Sequence, residues 1–134
     1  MKKYCMLLLI ACLSLPAAAQ DSNDKASFDA IEEGMRNGNA AAVAAYFANT
    51  LECSVLGEEG IYSKAQATMV LKVFFEKHPP AAFTFKHSSN RQTVKYAIGD
   101  LQTKDGKNLR VTVFIKGENK ELKIQQLRVE NNEQ

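Results

Sequence analysis

Tyr62–Pro80, YSKAQATMVLKVFFEKHPP, is the stretch on which the fold turns. Ser63 followed three residues later by Gln66 is a capping-box pattern, in which each side chain satisfies a backbone N–H that the first helical turn leaves open. Ala67, Val70, Leu71 and Phe74 then recur at i, i+3, i+4 and i+7, the spacing of one apolar helix face. Val73 and Phe75 widen that face. Lys77 and His78 suit the negative end of the helix dipole. Pro79-Pro80 ends the helix, and the first proline pushes His78 towards an extended conformation. A helix this apolar is not stable alone in water. The expectation is a central helix lying on a sheet.

The flanking chain supplies that sheet. Upstream, Phe28, Ile31 and Met35 predict a helix over 27–36, ended by Asn37-Gly38. Asn39 caps a second helix predicted over 40–48, with Val43 and Phe47 inward. Residues 50–56 alternate as a strand, in which Cys53 sits between Leu51 and Val55 as a small buried hydrophobe. Residues 57–60 read as a turn. After Pro80 the period changes to two, and strands are predicted over 82–87, 93–103, 108–116 and 121–130. Asp105-Gly106 is a hairpin signal. The fold class is α+β: N-terminal helices and a long central helix packed on a curved, mostly antiparallel sheet.

Simple hairpins give a first register. Centring one turn on Asp105-Gly106 pairs Asp100 with Val111 and Ile98 with Val113. Centring the last on Glu118-Asn119 pairs Val113 with Ile124 and Val111 with Gln126. The first loop sets Phe85 beside Tyr96. One face then carries the rows Phe83–Ile98–Val113–Ile124 and Phe85–Tyr96–Ile115–Leu122, where Val70 and Phe74 would dock. Beyond them follow Asp100–Val111–Gln126 and Gln102–Leu109–Arg128. A second register places bulges at Gly99 and at Gln125-Gln126. It turns Leu101, Leu127 and Val129 inward and sends Asp100, Gln126 and Arg128 into water.

Of 134 residues, 46% are hydrophobic, enough for one domain with an ordinary core. The N-terminus has the form of a secretory signal peptide, residues 1–19. Lys2-Lys3 precede an apolar run from Met6 to Leu15, and Ala17-Ala18-Ala19 form a small-residue cleavage site. That run is shorter than the roughly 20 residues of a membrane span. Leu9-Ile10-Ala11-Cys12 also fits a lipobox, which would anchor the chain through Cys12. The domains expected are this leader, a flexible tail over 20–26, one α+β domain over 27–130 and a flexible end over 131–134. The destination expected is periplasmic or secreted. Lys2 and Lys3 leave with the leader, so 17 basic residues become 15 against 15 acidic ones. A near-neutral chain has no electrostatic call on nucleic acid or an anionic membrane. Of the three cysteines, Cys5 and Cys12 also leave, and Cys53 can then form neither an internal disulfide nor a Cys-based metal site.

The order of elements is similar to the cone-shaped, cystatin-like fold of nuclear transport factor 2. The residues Tyr62-Ser63-Lys64-Ala65-Gln66-Ala67, Phe74-Phe75, Lys86-His87, Tyr96-Ala97-Ile98-Gly99 and Ile124-Gln125-Gln126-Leu127 resemble a family of uncharacterised exported bacterial proteins, defined as a domain of unknown function. The resemblance implies the same cone. It brings no activity with it.

No paired-histidine motif, Gly-rich phosphate loop or nucleophile elbow is present, so neither metal nor cofactor is expected. The polar residues at the open end of the cone are the candidates for a pocket: Asp100, Gln126 and Arg128, with Tyr62, His87 and Tyr96 around it. Asp100 and His87 fall too far apart in the simple register for a dyad. The function expected is a non-catalytic binding or interaction module, taking a small molecule or protein partner, with a pocket between central helix and sheet. Phe114, opposite in parity to Val113, is placed for a homodimer through the outer sheet face. The alternative is a small isomerase or dehydratase with Asp100 as its acid/base.

Overall fold

The computed structural model describes residues 19–91, 94–118 and 121–132. The order is α1 (Ala19–Asn37), α2 (Ala40–Ala44), β1 (Phe47–Val55), β2 (Glu58–Ser63), α3 (Lys64–Lys77), β3 (Pro80–Arg91), β4 (Val94–Thr103), β5 (Asn108–Glu118) and β6 (Glu121–Asn131). The expected leader, apart from Ala19, lies outside the described residues.

Ser63 caps α3 through the box expected of it. Its Oγ accepts from Gln66 N at 3.2 Å, and Gln66 Oε1 accepts from Ser63 N at 3.0 Å. The buried face is Ala67, Leu71, Phe74 and Phe75. Val70 is half-buried, and Val73, expected inward, lies with Met69 on the open side. His78 N closes the last turn on Phe74 O at 2.8 Å.

One six-stranded sheet has the order β2-β1-β6-β5-β4-β3. Its pairs are antiparallel except β1 with β6, which run parallel. The strand β2 stands where a turn was expected. Val55 pairs with Glu58 across Leu56-Gly57, both at positive φ, which is the geometry of a two-residue hairpin. The second helix stops at Ala44, and Phe47 opens β1 while staying buried. The first helix starts at Ala19 rather than near Ser27.

The helices share one face of the sheet. α3 lies against α2, β1 and β2, whereas α1 lies against α2 and β3. The seat foreseen for Val70 and Phe74, over the last four strands, is thus displaced to the β1–β2 end. The core joins Ile31, Met35, Val43, Phe47, Leu71 and Phe74 to the inner sheet residues, among them Leu101, Val113 and Ile124.

The simple-hairpin register is corrected at every turn. Thr103–Lys107 forms a three-residue loop instead of a two-residue one. Gly106 N bonds Thr103 O, Thr103 N bonds Lys107 O, and Thr103 Oγ1 takes the Lys107 N–H. Only Gly106 there has positive φ, which excludes the two-residue turn. Gly99, not Asp100, therefore faces Val111, Ala97, not Ile98, faces Val113, and Asp100 faces Arg110. In the last hairpin Ile115 pairs with Ile124 and Phe114 with Gln126, which leaves Gln125 bulged. On β3, Phe85 pairs with Gly99 and His87 with Ile98, so Lys86 is bulged. Leu101, Leu127 and Val129 are buried as a result.

The edge of β3 is covered. Glu32 Oε2 accepts from Phe85 N at 3.1 Å, and Arg36 Nη2 donates to Phe83 O at 3.3 Å. The two side chains pair with each other at 2.8 Å. An α1 ion pair thus occupies the positions where another strand would add.

Candidate functional site

The face of the sheet turned away from the helices carries the densest group of functional side chains. Its parity follows from β1, where Leu51, Cys53 and Val55 are buried and Glu52 and Ser54 point the other way. Cross-strand partners extend Glu52 into one row: Ile61, Glu52, Gln126, Phe114, Tyr96 and Ser89, one from each strand in sheet order. The next row reads Glu59, Ser54, Arg128, Thr112, Ile98 and His87.

The first row is unusually apolar for a solvated surface. Ile61 is 76% exposed, Phe114 39% and Tyr96 37%. The Phe114 and Tyr96 rings stack at 5.9 Å between centroids, with 25° between planes. Two adjoining grooves run beside them. One, of about 410 Å³, is lined by Glu52, Ser54, Glu59, Ile61, Gln126 and Arg128. The other, of about 380 Å³, lies between Ile61 and Phe114 over Glu52 and Gln126.

His87, Tyr96, Asp100, Gln126 and Arg128 come together on this face. Tyr62 does not: it pairs with Leu51 on the inner face and packs against the core. The Lys86 bulge reverses the parity of His87, which was expected beside Phe83 and Phe85 and is instead exposed outside. Asp100 Oδ2 pairs with Lys86 Nζ at 2.5 Å, and its Oδ1 accepts from Asn132 Nδ2 at 3.2 Å. With both oxygens engaged, Asp100 ties the Lys86 bulge and Asn132, the last described residue, to β4. Glu52, Ser54, Glu59 and Ile61 were missed as site residues because β2 was not recognised. The alternation of Glu52 and Ser54 with Leu51 and Cys53 was the available signal.

The space between α3 and the sheet is filled by side chains such as Leu51, Cys53, Leu71 and Phe74. A further groove, of about 640 Å³, runs between the α1–α2 junction and α3, along Asn39, Ala41, Thr68, Lys72 and Glu76. Burial pushes the Cys53 thiol up to about 11, so it stays protonated and unreactive at neutral pH. A second polar cluster locks the end of α3 to the β4–β5 loop. His78 Nδ1 meets Asp105 Oδ2 at 2.8 Å, Thr103 Oγ1 donates to Asp105 Oδ1, and Lys104 N bonds Pro79 O at 2.8 Å. The Thr103 and His78 hydrogen bonds hold the Asp105 carboxyl below its ordinary value. Among the described residues no group of three or more His, Cys, Asp or Glu could hold a metal, and no helix is long and apolar enough to cross a membrane.

Solved structures share this architecture. A DUF4783 family protein from Bacteroides ovatus is 24% identical, with TM-score 0.73 over 78% of this chain and 94% of its own. A protein of the NTF2-like family from Streptomyces avermitilis is 10% identical, with TM-score 0.62 over 84% of this chain and 96% of its own. A domain of unknown function with a cystatin-like fold from Nostoc punctiforme is 10% identical, with TM-score 0.69 over 89% of this chain and 81% of its own. None of the curated proteins matches the chain. The fold is therefore the NTF2-like, cystatin-like cone. The family model for the domain of unknown function DUF4783 matches residues 28–130, nearly the whole of the described domain, and the chain belongs to that family.

Proposed function

We propose that this chain is an exported, non-catalytic interaction module that docks through the helix-free face of its sheet, and that the occupant of that face is a second copy of the chain. The observation that carries the reading is the row Ile61, Phe114 and Tyr96. Of the five exposed large apolar side chains among the described residues, these three lie in one line across the sheet. Aromatic anchors beside polar groups are the composition of a docking surface rather than of a solvated one. Glu52, Gln126 and Arg128 between and below them supply directional contacts. Export is supported by Lys2-Lys3, the apolar run and Ala17-Ala18-Ala19.

Sedimentation equilibrium of the exported protein tests the association. A concentration-dependent dimer is expected, and Phe114→Ser weakens it at least about tenfold, the scale of losing an aromatic hot spot. A chain that stays monomeric at millimolar concentration overturns the reading. N-terminal sequencing of the exported protein tests the address: the first residue expected is Gln20. Retention of Met1, or a lipid-modified Cys12 as first residue, overturns that cleavage site.

A further inference from the structure

We infer that the two copies meet about a two-fold axis that runs along the strands over the β1–β6 seam, so that Arg128 of each copy seats between Glu52 and Glu59 of the other. The inference rests on the sheet-face reading above and adds its geometry and its electrostatic key.

The outer face is divided by charge. On β1 and β2 its charged side chains are Glu52 and Glu59. Among the residues of β6 and β5 whose side chains are described, they are Lys123, Arg128, Arg110 and Lys116 against Glu130. On β4 and β3, Asp100 and Lys86 neutralise each other. Glu52, Glu59 and Arg128 make no hydrogen bond or ion pair among the described residues. An acidic strip thus borders a basic strip, with the 410 Å³ groove on their boundary.

Two directions of an in-plane two-fold axis stack this face on itself with the strands of the two copies aligned. An axis across the strands lays each strand on its own copy, acid strip on acid strip and Arg128 beside Arg128, which is repulsive. An axis along the strands exchanges them. Placed over the β1–β6 seam, it sets β1 on β6 and β2 on β5, and leaves Tyr96 of β4 at the rim, stacked on the covered Phe114. Because Ile61, Glu52, Gln126 and Phe114 share one row, Ile61 then faces Phe114 of the second copy, and Glu52 faces its Gln126. In the next row Ser54 faces the second copy's Arg128, and Glu59 faces its Thr112. Ser54 is flanked by Glu52 and Glu59 on the floor of the groove, so that guanidinium enters between two carboxylates that have no ion pair among the described residues. Both grooves are lined only by residues of β1, β2, β5 and β6, the four strands that this axis covers.

Charge exchange tests the key. Arg128→Glu alone faces two acids, and the double variant Glu52→Lys, Glu59→Lys alone faces Arg128. Each is expected to be monomeric where the unmodified chain is dimeric. Mixed together they are expected to form a one-to-one heterodimer, because both seats are then restored with reversed sign in one and native sign in the other. Circular dichroism of each variant confirms that it is folded. A mixture that stays monomeric overturns the key while leaving the sheet-face dimer standing, and an unmodified chain that is itself monomeric overturns both. A spin label at Thr84→Cys, on β3 outside the covered strands, reads the axis independently of the charges. Seven strand spacings of about 4.8 Å separate the two β3 strands about the proposed axis, so a distance of about 34 Å is expected. An axis across the strands through the Arg128 row lies about 7 Å along the strand from Thr84, so about 17 Å, twice that offset combined with a sheet-to-sheet spacing of about 10 Å, overturns the proposal.

Discussion

A methyl group at position 99 would sit 2.6 Å from the Thr84 carbonyl oxygen and 2.8 Å from the Phe83 ring. The oxygen belongs to the β3 backbone and cannot swing aside. Gly99→Ala is therefore expected to cost about 3 kcal/mol or more, the scale of overpacking a filled core, read as a lower midpoint in urea unfolding. At Asp105 the sign of a pH effect can be worked out. Its folded pKa lies below its ordinary 3.8, so the clasp stabilises the fold fully above about pH 4 and loses that stabilisation as pH falls through the folded value. Asp105→Asn should remove this acid limb from the stability–pH curve; an unchanged limb would assign it to other carboxylates. These two sites also show where sequence reading stops. Gly99 was legible as special, because a glycine inside a strand marks a bulge or a close approach. The three-residue loop was not, because Asp105-Gly106 suits both loop lengths, and the choice was made by a hydroxyl of Thr103 that alternation alone does not mark.

At the scale of elements, α3 was readable because its signals agree. The Ser63–Gln66 box and the Leu71–Phe74 stripe are local and need no partner to be recognised. Ser63→Ala should cost about 1 kcal/mol, the usual worth of a cap. Leu71→Ala should cost about 2–5 kcal/mol, and Val73→Ala, on the open side, less than about 1 kcal/mol. Equal losses at 71 and 73 would mean that the helix is rotated from the orientation described. The β2 strand was hidden because Glu58-Glu59-Gly60 has turn composition and only Ile61-Tyr62 has strand propensity. Pairing to β1 overrides that local preference. The Lys86 bulge was equally hidden, since Ser88 and Ser89 show no alternation from which a parity change could be read. The β3 edge makes its own prediction. Glu32→Ala removes the acceptor of Phe85 N–H and frees Arg36, and is expected to cost about 1–3 kcal/mol and to speed aggregation on warming.

For the whole molecule, the order of elements identified the cone, whereas the site depended on register. A shift of one residue in a strand sends every side chain to the opposite face. Asp100, Gln126 and Arg128 consequently lie not at the mouth of an inner pocket but, as in the bulged register, on the outer sheet face that also carries Glu52, Ile61 and Phe114. Among the described residues there are two exposed apolar regions, Ile61 with Phe114 and Tyr96 on the sheet, and Met69 with Val73 on α3. Docking through the sheet predicts that only the first responds to a partner. The most direct measurement is a methyl NMR dilution series. The Ile61 methyl signals should shift between micromolar and millimolar protein while those of Met69 and Val73 hold still. Movement at Met69 and Val73 with Ile61 unchanged would place the docking surface on the helix and contradict the assignment to the sheet.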